Sequence, residues 1–324
     1  MHRVFLAIAI LAAAFSVGVR PEGRAQTAAV TAPSRDPKIL QAAVDAAVAG
    51  TLEKFAARKL QSNQLAVTLL DLRDPAHPTR AAYRGDVAIY PASVVKLFYL
   101  AAAHRWMENA RLQDTPELRR ALRDMIVVSY NEATHYVVDV LTGTTSGPEL
   151  PDAEIDRWFD QRNAVNHYFT SLGYTNINAN KKPWCEGPYG RESQSIKRHQ
   201  PSRNLLTTDA TARLLAEIAT GQCVTAARCT QMMELLKRTP KALVTTTGEP
   251  EEGQDFTSPG LPPGTKLWSK AGWTSQTRHD AAYLELPDGG RFVLVIFTTD
   301  HANEREIIPT MTRNLLARLA RPVP

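Results

Sequence analysis

Between Lys38 and Phe55 the apolar residues Leu40, Val44, Val48, Leu52 and Phe55 recur at helical spacing, which predicts an amphipathic helix. Residues 64–72 and 79–90 are rich in β-branched, aromatic and small apolar residues. They read as two strands flanking a turn at Asp74, Pro75 and Pro78. A helix beginning near Ser93 is apolar nearly all round through Ala103, the mark of a helix buried on every side. Residues 115–128 form a further helix with Thr115 as N-cap, and the stretch starting at Asn131 forms another, ending at Gly143. Residues 153–174 are helical by period. Residues 175–204 have no period and read as one long loop, a feature that is usually functional or disordered. Helices follow at 205–221 and 225–239. Three strands come next, at 265–274, 279–287 and 291–299, the last two joined by Asp288-Gly289-Gly290. A helix from about Ala302 to Leu319 closes the chain, and there is no internal repeat.

Strands are thus split between the two ends of the folded chain. The fold class expected is α/β (α+β). One antiparallel five-stranded sheet would carry the terminal helices on one face and an all-helical lobe on the other. Residues 37–324 are expected to form this single domain, preceded by a flexible leader at 26–36.

The first residues change the setting. His2 and Arg3 precede an apolar run from Val4 to Val19. The run is short for a bilayer and ends in a polar segment, so residues 1–25 read as a signal peptide cleaved after Ala25. A membrane anchor is the alternative. The expected location is therefore outside the cytoplasm, periplasmic or secreted, with no membrane attachment after cleavage. The 324 residues carry a mild net charge of +5. Clusters such as Lys181-Lys182 and Lys197-Arg198-His199 lack interleaved aromatics, so they read as solvated surface rather than a nucleic-acid footprint. Export allows a disulfide between Cys223 and Cys229, with Cys185 left over; three free thiols are the alternative. No His/Cys cluster has zinc spacing, so neither a metal nor a cofactor is expected.

Chemistry concentrates at three places. Ser93 and Lys96 stand at i and i+3 on one face of an apolar helix. A serine hydroxyl needs a base to become a nucleophile, and a desolvated lysine can serve. Ser129 and Asn131 lie between two helices; a capping box with Glu132 is the bland reading of Ser129. Lys270 and Gly272 lie on the first late strand, where the glycine suggests close backbone approach by a ligand. The ordered set Ser-x-x-Lys, Ser-x-Asn, Lys-x-Gly resembles the class A β-lactamase and DD-peptidase family. The resemblance covers nearly all of the chain after its leader.

It implies a monomeric serine acyl-hydrolase acting on β-lactams or peptidoglycan peptides. Ser93 would attack the amide and Lys96 would deprotonate it. Ser129 would pass a proton to the leaving nitrogen. Asn131 would hold Lys96 and the substrate amide, and Lys270 would attract the substrate carboxylate. The backbone N–H groups of Ser93 and Trp273 would form the oxyanion hole. Tyr130 and Ala271 depart from the usual middle residues of their motifs. The family's deacylating glutamate has two candidates, Glu192 and Glu186, and neither is followed by asparagine four residues later; Ile196 stands four residues after Glu192. A wall peptidase, or a sensor that is acylated or only binds, is the competing reading.

Overall fold

The computed structural model describes residues 35–184, 187–240 and 255–320. The expected signal peptide, nearly all of the leader, Cys185 and Glu186 lie outside the described residues.

Six antiparallel strands form one sheet. They are β1 (Leu65–Asp71), β2 (Thr79–Tyr83), β3 (Lys237–Arg238), β4 (Lys266–Trp273), β5 (Thr277–Glu285) and β6 (Arg291–Thr299), in the order β2-β1-β6-β5-β4-β3. The sixth strand corrects the expected five. The last helix of the lobe ends at Leu236, and Lys237 and Arg238 pair with Trp268 and Leu267. Two residues are too few to show a period of two. The second strand is also shorter than expected. It ends at Tyr83, and Arg84 takes a left-handed φ of 53°, which no continuing strand tolerates.

Alternation along the strands makes two cores. Leu65, Val67 and Leu69 of β1, with Ala282 and Leu284 of β5 and Leu294 and Ile296 of β6, pack with residues of α1 (Pro37–Lys54) and α10 (Ile307–Leu319). Asp36 caps α1 by accepting from the Lys38 N–H, with Pro37 at the first helical position. The opposite parity, Ala66, Leu70, Ala281, Tyr283, Val293, Val295 and Phe297, packs on the helical lobe. This is the layered arrangement that the strand order called for.

The lobe contains α2 (Lys96–Glu108), α3 (Pro116–Val127), α4 (Asn131–Thr142), α5 (Asp152–Arg162), α6 (Ala164–Ser171), α7 (Gly190–Arg198), α8 (Thr208–Ala219) and α9 (Ala226–Leu236). Every residue of α2 from Lys96 to His104 is buried, as its all-round apolar pattern predicts. Two expectations are corrected here. The helical period of 153–174 is two helices broken at Asn163. The long loop contains α7, whose buried residues are Glu192 and Ser195; polar residues on the inner face leave no hydrophobic period to read. Among the described residues no helix is long and apolar enough to cross a membrane.

Cys223 and Cys229 are free, so the disulfide is not made. Both thiols are buried in the lobe core with Met232 and Leu236. Burial, reinforced by the neighbouring Cys229, pushes the Cys223 thiol up to about 12, which suits an inert packing residue.

Candidate active site

Ser93 lies in a 3-10 turn, Ala92–Val95, that runs straight into α2. Ala92, immediately before it, has a φ of 46°. A non-glycine residue held there costs roughly 1–2 kcal/mol, so the surroundings must fix this turn. Strand β4 does so through Gly272. A Cβ added at Gly272 would lie 2.6 Å from the Pro91 carbonyl oxygen and 2.9 Å from the Ser93 nitrogen. The glycine therefore lets the strand seat against the backbone of the turn.

Lys96 is the first residue of α2 and is completely buried. Its Nζ donates to the Ser129 carbonyl oxygen at 2.5 Å and to Asn131 Oδ1 at 2.9 Å, and it lies 3.2 Å from Ser129 Oγ. Ser129 and Asn131 come from the α3–α4 junction. Thr115 caps α3 by accepting from the Leu118 N–H, and α4 begins at Asn131. Ser129 takes a left-handed φ of 61°, and both its carbonyl and its hydroxyl accept from Lys96. The capping box is not formed: Tyr130 is the N-cap and offers no side-chain bond.

Lys270 arrives from β4 at the same parity as Trp268, which packs on the lobe core. Its Nζ donates to Ser129 Oγ at 2.9 Å and to the Ala271 carbonyl at 2.8 Å. Its pKa lies well below the usual lysine value, first because of burial and then because of the neighbouring Lys96 and Arg238 charges. The structure thus joins Lys96, Ser129, Asn131 and Lys270 by hydrogen bonds. Ser93 sits three residues before Lys96, its backbone against Gly272. Trp273 and Tyr130, each following a site residue, are both exposed.

Glu192 is placed differently. It is buried on α7, and its Oε1 accepts from Ser146 Oγ at 3.0 Å and Arg162 Nη2 at 2.8 Å, with Lys182 Nζ at 3.3 Å. Asp139 binds the same two cations, at 3.0 Å to Arg162 and 2.8 Å to Lys182. This four-charge network, buried except at the half-buried Asp139, ties the 175–204 segment to α4 and α5. Further contacts of that segment reach α2 and α4. Tyr99, one turn past Lys96, donates to the Lys181 carbonyl at 2.8 Å. His135, one turn past Asn131, bonds the Pro183 carbonyl through Nε2 and packs on Trp184. His135 and Tyr99 belong to no motif in the sequence, although i+4 and i+3 spacing from Asn131 and Lys96 places them on the same helix faces. Arg162 and Lys182 carry no pattern that sets them apart from surface cations. Among the described residues, no group of three or more His, Cys, Asp or Glu could hold a metal ion.

The arrangement joins two lysines at one serine hydroxyl, with Asn131 on Lys96 and the turn that carries Ser93 leading into the same helix. Solved structures share the fold. A beta-lactamase from Sphaerobacter thermophilus aligns with a TM-score of 0.56 at 20% identity, covering 87% of this chain and 99% of that one. A representative of class A beta-lactamase from Bacteroides cellulosilyticus aligns at 0.59 and 16% identity, covering 88% and 99%. PBP-A aligns at 0.58 and 17% identity, covering 89% and 98%. No curated protein matches the chain. The profile of the Beta-lactamase enzyme family matches residues 106–320, a span that holds Ser129, Asn131, Lys270 and Gly272 and begins after Ser93 and Lys96. With that match over more than half its length and the shared fold, the chain belongs to the beta-lactamase enzyme family.

Proposed function

We propose that the protein is a serine hydrolase that opens β-lactam amides through an acyl-enzyme on Ser93. The observation that carries this reading is the convergence of Lys96 and Lys270 on the Ser129 hydroxyl, beside the strained turn that presents Ser93. Ser93 Oγ attacks the amide carbonyl while Lys96 takes its proton. The Ser129 hydroxyl, which lies within hydrogen-bond reach of both lysines, gives its proton to the leaving nitrogen as the C–N bond breaks, and Lys96 passes the proton taken from Ser93 on to the Ser129 oxygen. Asn131 holds Lys96 and the substrate amide. Lys270 attracts the substrate carboxylate. The N–H groups of Ser93 and Trp273 receive the oxyanion, where one such donor is worth about 3 kcal/mol. Water then attacks the ester and frees Ser93, with Glu192 as the base for that water.

A second reading is a wall peptidase or penicillin-binding protein that releases its acyl group slowly. The engagement of Glu192 Oε1 by Ser146, Arg162 and Lys182 favours it, because a carboxylate committed to two cations is poorly placed to hold a water. In both readings the protein is exported and works on small molecules or wall peptides as a monomer. Incubation with benzylpenicillin followed by peptide mapping tests the shared step. The adduct is expected on Ser93 and absent from Ser93→Ala; an adduct on a different residue contradicts the assignment.

A further inference from the structure

His279 lies on β5, directly across from Gly272 of β4 and Phe297 of β6. It is completely buried. Its Nε2 is 2.9 Å from the Tyr90 carbonyl oxygen, and its Nδ1 is 3.1 Å from the Thr298 backbone nitrogen. A carbonyl can only accept and a backbone amide can only donate. The two partners therefore fix one form of the ring: neutral, with the proton on Nε2. A protonated ring would set an N–H against the Thr298 N–H. Burial acts in the same direction, lowering the pKa of His279 to about 4.

Tyr90 stands three residues before Ser93. Its carbonyl is held by His279, while the next residues, Pro91 to Val94, rest on Gly272, the residue paired with His279. One cross-strand pair thus supplies both the space for the turn and the bond that holds it. Ala92, between the two fixed points, has the strained φ. Such strain persists only where the surroundings over-determine it.

We propose that His279 is a positioning residue: as a neutral Nε2–H imidazole it clamps the Tyr90 carbonyl and thereby sets the place of Ser93 for attack. The consequence for rate rests on the acyl-enzyme reading above; the placement of Ser93 does not. A clamp of this kind acts on the acylation step and not on initial binding, because it touches no substrate.

Two variants separate the halves of the clamp. In His279→Gln the side-chain amide N–H reaches the Nε2 position and keeps the Tyr90 bond. In His279→Asn the shorter amide reaches only the Nδ1 position and keeps the Thr298 contact. Stopped-flow acylation by benzylpenicillin, with thermal melting to confirm folding, should show His279→Asn slowed on the order of 10²-fold at unchanged pre-covalent affinity. His279→Gln should stay near the wild-type rate. Equal rates in folded wild type and both variants overturn the proposal, as does equal slowing in both. If wild type itself is not acylated, the β-lactam reading fails by itself. The clamp is then read from crystal structures of the variants: a displaced Tyr90–Ser93 turn in His279→Asn alone supports it, and an unmoved turn overturns it.

Discussion

Lys96 and Lys270 donate to one oxygen, Ser129 Oγ, from 3.2 and 2.9 Å. One lysine begins a helix and the other lies in a strand, and the serine that joins them sits in a left-handed turn between two other helices. Two buried amines this close repel one another when both are protonated, so after burial itself the charge of Lys96 is a cause of the depressed pKa of Lys270. An anionic group brought to Lys270 would offset that repulsion.

Replacing Ser129 by alanine removes the shared acceptor and the proton donor to the leaving nitrogen. Acylation of Ser93 by benzylpenicillin should fall by about 10²–10⁴-fold, the usual contribution of a positioned proton-transfer group. Rapid-quench mass spectrometry measures this. A rate near that of wild type would remove Ser129 from the proton path.

Gly272→Ala places a methyl 2.6 Å from the Pro91 carbonyl and 2.9 Å from the Ser93 nitrogen. Both neighbours are backbone and cannot rotate away. Denaturant unfolding should show a loss of about 1–3 kcal/mol, the range for overpacking, together with loss of acylation. A variant of wild-type stability and rate would show that the strand and the turn separate readily.

Glu192→Gln leaves Arg162 and Lys182 buried with Asp139 as their remaining carboxylate partner in the network. Removing one partner of a buried ion pair costs about 3–5 kcal/mol, and urea unfolding should show a loss of this order. If Glu192 also activates the deacylating water, release of the acyl group slows about tenfold or more while acylation is spared. Unchanged release with lowered stability would confine Glu192 to the network that holds the 175–204 segment.

Two buried histidines set a pH dependence of stability. Burial lowers the pKa of His104 and of His279 from 6.5 to about 4; near His104 the Arg228 charge adds to the effect and Asp114 opposes it. Between these values the unfolded chain binds protons that the folded chain refuses. Each histidine's contribution is therefore whole above pH 6.5 and is lost as the pH falls toward 4, by about 3 kcal/mol. Asp280 works in the opposite sense, since burial and Asp255 raise its pKa to about 6. Melting curves should show stability falling between pH 6.5 and 4, and falling less steeply in His279→Gln. An unchanged slope in that variant would mean that His279 titrates normally in the folded protein.

Wherever an element buries apolar side chains, its pattern in the sequence shows it. The all-round apolar run of α2, the apolar run of β6, and the Thr115 and Gly143 ends of α3 and α4 are legible in this way. Ser93, Lys96, Ser129, Asn131, Lys270 and Gly272 stand out in the sequence by their motif spacings, and the structure brings Lys96, Ser129, Asn131 and Lys270 together by hydrogen bonds. What stayed hidden is held by polar contacts between distant segments. Helix α7 buries Glu192 and Ser195, so no apolar stripe announces it. The Glu192–Arg162–Lys182–Asp139 network joins residues from four segments. His279 has the appearance of an ordinary strand residue until the register sets it opposite Gly272. The two-residue β3 is too short for any periodic signal, and the free thiols follow from packing into a core that sequence spacing does not reveal.

The Ser93 acyl-enzyme is read from the intact mass of the purified protein followed over time with a penicillin. The expected result is a mass increase equal to one penicillin, located on Ser93 and absent from Ser93→Ala, which then decays as hydrolysed penicillin accumulates. An adduct that forms and persists would keep the nucleophile and move the protein to the slow-releasing reading. No adduct at all, under conditions where the protein is folded, would contradict the claim.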